Sequence, residues 1–284
     1  RSALSLPGLL YWRNDTPTDT LDPKTMLTWL ILLSSVSAAA GEPQDVVFQS
    51  KHDGSKQRYV VLLPEGFKAE ESHSVLVALH GHGSDRWQFV KDGRDECRAA
   101  REAAARHKMI FVSPDYRART SWMGPAAEAD LLQILEELRK NYRVNKIVIS
   151  GGSMGGTAAM IFAALHQDQI AGVVAMNGTA NLLEYDQFQE AIAASYGGSK
   201  KERPDEYRRR SPELHASELK MPIAVTTGGK DRLVPPESVL RLVTILREEK
   251  CPILSIHRLE GGHATTYADA MEAFEFVFSR LDSD

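Results

Sequence analysis

A serine, an aspartate and a histidine each stand in a short glycine-rich stretch of this chain, and together they could make and break acyl bonds. A serine hydroxyl becomes nucleophilic when a nearby imidazole takes its proton, and a carboxylate on the far ring nitrogen fixes the imidazole's tautomer. Gly151-Gly152-Ser153-Met154-Gly155 fits G-x-S-x-G, with the apolar run KIVIS leading in and the Ala-rich stretch TAAMIFAAL leading out. A strand, a sharp turn and a helix in that order push the hydroxyl above a sheet edge. The helix N-terminus below favours developing negative charge. A glycine-rich turn with no chemistry, or a phosphate cradle, would look similar. A phosphate loop of the Walker type needs G-K-[ST], however, and no lysine stands here. The dinucleotide fingerprint is missing as well.

An activated serine needs an acid and a base further along, on loops at strand ends. Gly228-Gly229-Lys230-Asp231 follows one apolar run, and Glu260-Gly261-Gly262-His263 follows the next. Taken alone, Asp231 reads as a turn or helix-cap aspartate and His263 as a surface loop residue. Behind the serine turn, in the order Ser153, Asp231, His263, they read as its acid and base. The remaining histidines suit that role less well. His257 falls inside a strand, and His52, His73, His107, His166 and His215 flank elements without a glycine loop.

His80-Gly81-His82-Gly83-Ser84-Asp85 follows another apolar strand and admits two readings. As an oxyanion loop, the backbone N–H of His82 or Gly83 would work with that of Met154 on the developing alkoxide. As a metal site, His80 and His82 would be ligands. Asp85 lies one residue too far along for the H-x-H-x-D-H pattern, and Arg86 follows it, which favours the oxyanion loop and leaves no metal expected. Trp122, in RARTSWMGP, is a candidate wall of the substrate pocket, or else a packing aromatic. Asn177-Gly178-Thr179 matches a glycosylation sequon but sits at a strand end, where it reads as a turn.

The elements that must hold these residues alternate. Apolar runs at 59–63, 75–79, 109–112, 146–149, 172–176, 223–227 and 253–259 read as strands. Helical stripes separate them, such as Leu131, Ile134, Leu135, Leu138 and Tyr142, or Tyr267, Met271, Phe274 and Phe278. Strands apolar throughout, alternating with helices, predict an α/β fold with a mostly parallel sheet covered on both faces. The polar segment 178–220 breaks the alternation and reads as an excursion over the active face. Residues 41–284 suffice for one such domain. Before it, MLTWLILL and then Ala38-Ala39-Ala40 resemble a secretory signal peptide cleaved near Gly41, although no positive n-region follows Met26. Residues 1–40 are therefore read as an extension, and the mature chain as secreted or periplasmic with no integral membrane segment.

A net charge of −4 from 34 basic and 38 acidic residues offers no footprint for nucleic acid. Cys97 and Cys251 have no partners at metal-ligand spacing; they read as two buried thiols, with one disulfide as the alternative.

From about residue 58 to 279 the chain resembles the α/β-hydrolase superfamily. It is most similar to secreted esterases and to the catalytic domain of the prolyl-oligopeptidase-like group. LHGHGSD, GGSMGG, RSPELHASELKMPIAVTTGGKDRLVP and EGGHATTY carry the likeness. The resemblance implies an eight-stranded sheet, no cofactor and a triad of Ser153, Asp231 and His263. Propeller blades of ~40–50 residues each do not fit before Arg58, which favours carboxylic esters, on small molecules or acylated polymers, over short peptides. A zinc hydrolase and a non-catalytic binding module of the same fold are the remaining alternatives.

Overall fold

The computed structural model of the chain describes residues 41–281. The signal-peptide reading of the segment before Gly41 lies outside the described residues. Strands β1 (Gln44–Gln49), β2 (Lys56–Leu62) and β3 (His73–Leu79) come first, then helices α1 (Gln88–Lys91) and α2 (Asp95–Arg106). β4 (Ile110–Pro114), α3 (Pro125–Asn141), β5 (Val144–Gly152), α4 (Met154–Leu165) and β6 (Gly172–Met176) follow. The chain then runs through α5 (Gln189–Tyr196), α6 (Pro204–Arg209) and a 3-10 segment (Pro212–Glu218). It ends in β7 (Ile223–Gly228), α7 (Glu237–Glu248), β8 (Ile253–Arg258) and α8 (Tyr267–Phe278).

The eight strands among the described residues join one sheet in the order β1-β2-β4-β3-β5-β6-β7-β8. β1–β2 and β2–β4 pair antiparallel, and every later pair is parallel. Successive side chains of a strand point to opposite faces, so each apolar run feeds two cores. Val75, Val77 and Leu79 enter the core under α3, α4 and α7, while Leu76 and Ala78 enter the one under α2 and α8. That is why these strands are apolar at every position instead of alternating. β1 departs from the rule. At the sheet edge QDVVFQ buries only Phe48, and its weak pattern hid it from sequence reading.

Helices α2 and α7 close with lysine in the left-handed region, Lys108 at φ 49° and Lys250 at φ 58°. In each case the next residue's N–H reaches back to the helix, Met109 to Ala104 and Cys251 to Leu246 at 2.9 Å, which forms a Schellman cap. Cys97 packs with the α2–α8 core, whereas Cys251 lies against the other; both are free thiols. No helix among the described residues is long and apolar enough to cross a membrane.

Candidate active site

Ser153 sits between β5 and α4 with φ 58° and ψ −122°, a conformation costly for any residue with a side chain. The glycines beside it explain how the turn survives. A Cβ at Gly155 would land on the Leu79 carbonyl, and one at Gly151 would lie 2.7 Å from that same oxygen. The Ser153 N–H is anchored on the Met176 carbonyl at 2.8 Å. The turn thus packs against both neighbouring strands, and its hydroxyl is left at the mouth of a cleft.

The acid and base arrive on two interlocked loops. Gly229 N–H donates to the Arg258 carbonyl and Lys230 N–H to that of Gly261, each at 2.8 Å. Asp231 is buried, and its Oδ1 accepts from the N–H groups of Leu233 (3.0 Å) and Val234 (2.9 Å). Its Oδ2 faces His263 Nδ1 at 2.7 Å, and His263 Nε2 lies 2.9 Å from Ser153 Oγ. An ionised carboxylate only accepts, so Nδ1 carries the proton and Nε2 takes the hydrogen bond from the serine. The three residues read from three distant glycine loops meet in one hydrogen-bonded chain. It is arranged to draw a proton off Ser153.

The loop from Asp115 to Gly124 holds the His80–Ser84 segment beside that serine. His80 Nε2 lies 3.0 Å from the Asp115 carbonyl, and the Tyr116 hydroxyl donates to the His80 carbonyl at 2.5 Å. Gly83 N–H donates to the Arg119 carbonyl at 2.8 Å. This corrects one expectation: Gly83 has no N–H to offer an oxyanion. The N–H groups of His82 and Met154 have no acceptor among the described residues and remain available. The metal reading of this segment also fails on geometry. Both ring nitrogens of His80 face carbonyl oxygens, and Asp85 accepts from the Trp87 N–H. Among the described residues, no three His, Cys, Asp or Glu side chains gather to hold a metal ion.

The cleft, about 390 Å³, is lined by the apolar Met176, Phe188 and Leu233 and by the charged Arg94 and Glu96 among others. Trp122 is not on its surface. The indole is fully buried behind His82 and donates Nε1–H to His82 Nδ1 at 3.2 Å, so Trp122 supports the wall rather than forming it. Asn177 does line the cleft. Its side-chain amide donates to the Gly262 carbonyl at 3.4 Å and its Oδ1 accepts from Thr265 at 2.5 Å, which ties the His263 loop to the end of β6. That amide is buried, and so is no acceptor for a glycan. Phe188, Arg94 and Glu96 escaped sequence reading because none lies in a motif. The position of 80–96 after a strand end was the only pointer to two of them.

Residues 116–278 match the model of the prolyl oligopeptidase family. The chain belongs to the prolyl oligopeptidase family. It is a serine hydrolase, and the matched span contains Ser153, Asp231 and His263, while the His80–Ser84 loop lies before it. Among solved structures, a ferulic acid esterase superposes with a TM-score of 0.65 at 20% identity, over 84% of this chain and 98% of that one. Puromycin hydrolase superposes at 0.67 and 21% identity, over 85% of this chain but 39% of its own. At such identities the likeness is one of fold. A 1-acylglycerol-3-phosphate O-acyltransferase of Arabidopsis thaliana is 23% identical over 164 residues, 55% of this chain. The chain spans about a third of that relative's length, 36%.

Proposed function

We propose that this family member is a secreted carboxylic-ester hydrolase that works through an acyl-enzyme on Ser153. The Ser153–His263–Asp231 hydrogen-bond chain carries the reading. Ser153 Oγ attacks the ester carbon as its proton passes to His263 Nε2. Asp231 holds the imidazolium, and the main-chain N–H groups of His82 and Met154 receive the carbonyl oxygen as it becomes an oxyanion. The proton on Nε2 then goes to the departing alkoxide, leaving Ser153 acylated. Water, deprotonated by the same nitrogen, releases the acid and restores the serine proton. Nothing in these steps calls for a cofactor.

The ester preference is supported by the likeness in fold to a ferulic acid esterase. Cleavage of short peptides is the second reading, favoured by the family itself. Small acyl esters and acylated polymers both suit a cleft that presents Met176, Phe188 and Leu233. Purified protein should hydrolyse p-nitrophenyl esters and leave aminoacyl p-nitroanilides nearly untouched. Ser153→Ala should lower ester turnover by roughly three or more orders of magnitude with unchanged circular dichroism. Faster cleavage of the anilides would replace the ester reading, and an active alanine variant would remove Ser153 from the mechanism.

Export rests on the apolar run ending at Ala40, for which N-terminal sequencing of protein recovered from producing cells is the test. A mature start near Gly41 is expected, and a cytoplasmic product retaining residues 1–40 would refute it.

A further inference from the structure

The imidazole of His82 lines the same cleft as Ser153. Its Nδ1 receives the Trp122 indole N–H at 3.2 Å, and an indole nitrogen only donates. Nδ1 therefore presents a lone pair, and the proton of the neutral ring sits on Nε2. No acceptor for that proton lies within hydrogen-bond distance among the described residues. Burial lowers the pKa of this histidine, which keeps the ring neutral.

Its neighbours hold the ring still. The Phe188 ring packs on it with centroids 4.3 Å apart. Trp122 is itself fixed, because it packs on Tyr185 at 5.5 Å and its carbonyl accepts from the Tyr196 hydroxyl at 2.9 Å. Trp122, at φ 45°, and Phe188, at φ 53°, both adopt left-handed conformations unfavourable to bulky side chains. A buried indole in a strained turn thus directs its single polar atom at a cleft-lining imidazole.

We propose that His82 Nε2–H donates a hydrogen bond to a second oxygen of the substrate, apart from the ester carbonyl, and that Trp122 is the positioning residue that keeps the proton there. The inference rests on the reading of Ser153 as nucleophile. The oxyanion already has two main-chain donors, so the ring addresses another acceptor. The substrates it selects are esters with an ether, hydroxyl or carbonyl oxygen close to the scissile bond, in the acyl or the alcohol part. Plain alkyl esters of equal size leave the donor unpaired.

Two isosteric pairs test this: p-nitrophenyl methoxyacetate against p-nitrophenyl butyrate, and methoxyethyl acetate against butyl acetate. Intrinsic reactivity cancels when the kcat/KM ratio of a pair is compared between wild type and variant. His82→Phe keeps a ring against Phe188 and removes the N–H. It should lower the oxygen-over-methylene ratio of at least one pair by about three- to tenfold. The His82→Phe/Trp122→Phe double variant leaves no indole unpaired and should show the same drop. Nitrogen NMR adds a readout independent of turnover: in the unmodified protein His82 should carry its proton on Nε2, and Trp122→Phe should release a mixture of tautomers. A proton on Nδ1, or unchanged ratios in both pairs, would overturn the proposal. If Ser153→Ala is inactive while the ratios stand still, this inference alone fails; if Ser153→Ala remains active, the reading beneath it fails.

Discussion

Asp231 is bonded through both carboxylate oxygens, to two main-chain N–H groups and to His263. Asp168 and Asp205 are exposed on polar segments. Asp231→Asn should therefore lower kcat by about three to four orders of magnitude, because an amide can favour the wrong imidazole tautomer and cannot stabilise the imidazolium. Asp168→Asn and Asp205→Asn should stay within about twofold, since exposed substitutions of this sort rarely matter. Parallel steady-state kinetics of the three variants decide it, and a crippled Asp168 or Asp205 variant would mean the acid had been misplaced. The catalytic candidates were legible because each stands in a glycine loop whose local requirement survives in the sequence. Gly83 was misjudged, and Trp122 left open between pocket wall and packing aromatic, for a different reason. Whether an N–H is free, or a ring faces a cleft, depends on the Arg119 and His82 groups that folding brings beside them, and no spacing encodes that.

At the scale of elements, the segment after β6 is held to α3 by a buried charge cluster. Glu128 of α3 receives a bidentate pair from Arg209 at 2.8 and 2.9 Å and a further bond from Arg210 at 2.5 Å, and His166 lies 2.9 Å from it. Arg210 is fully buried and also donates to the Met123 carbonyl at 2.5 Å, next to Trp122. Burial pushes the Glu128 carboxyl up, but hydrogen bonds from His166 and Arg209 and the charge of Arg210 outweigh it and hold it well below the usual range. A carboxyl depressed in the folded state adds stability above its unfolded pKa, and loses it as pH falls through the folded one. Glu128→Gln should destabilise the fold by about 3 kcal/mol at neutral pH, as breaking a buried pair does. The gap to wild type should narrow below pH ~4.3 as the unfolded carboxyl protonates. Glu136→Gln, which breaks an exposed pair with Lys51, is the control and should be silent. Urea unfolding at neutral and acid pH tests both, and a gap independent of pH would remove the ionised carboxylate from the account. The sequence showed this segment only as polar. Its buried Tyr185, Ile192, Tyr196 and Tyr207 are too scattered to form a stripe, and a charge that pairs inside the fold looks in sequence like a charge in water.

For the whole molecule, the sheet was readable because each inner strand must be apolar toward two cores at once, in runs short enough for strands and separated by helical stripes. The edge strand β1 faces that demand only weakly and left little trace. The ends of α2 and α7 bear on a different property. Lys108 and Lys250 stand exposed in left-handed conformations that cost a side chain about 1–2 kcal/mol and a glycine almost nothing. Glycine loses more freedom on folding, so each Lys→Gly exchange should gain about 0.5 kcal/mol net. The pair together should raise the melting temperature by roughly 2–4 °C in a scanning calorimeter with hydrolase activity unaltered; a fall would mean the lysine side chains contribute more than their backbone costs. Neither position lines the cleft, so this chain carries an unused thermal reserve at two surface residues. An engineer who must weaken the fold to reshape the pocket can draw on it first.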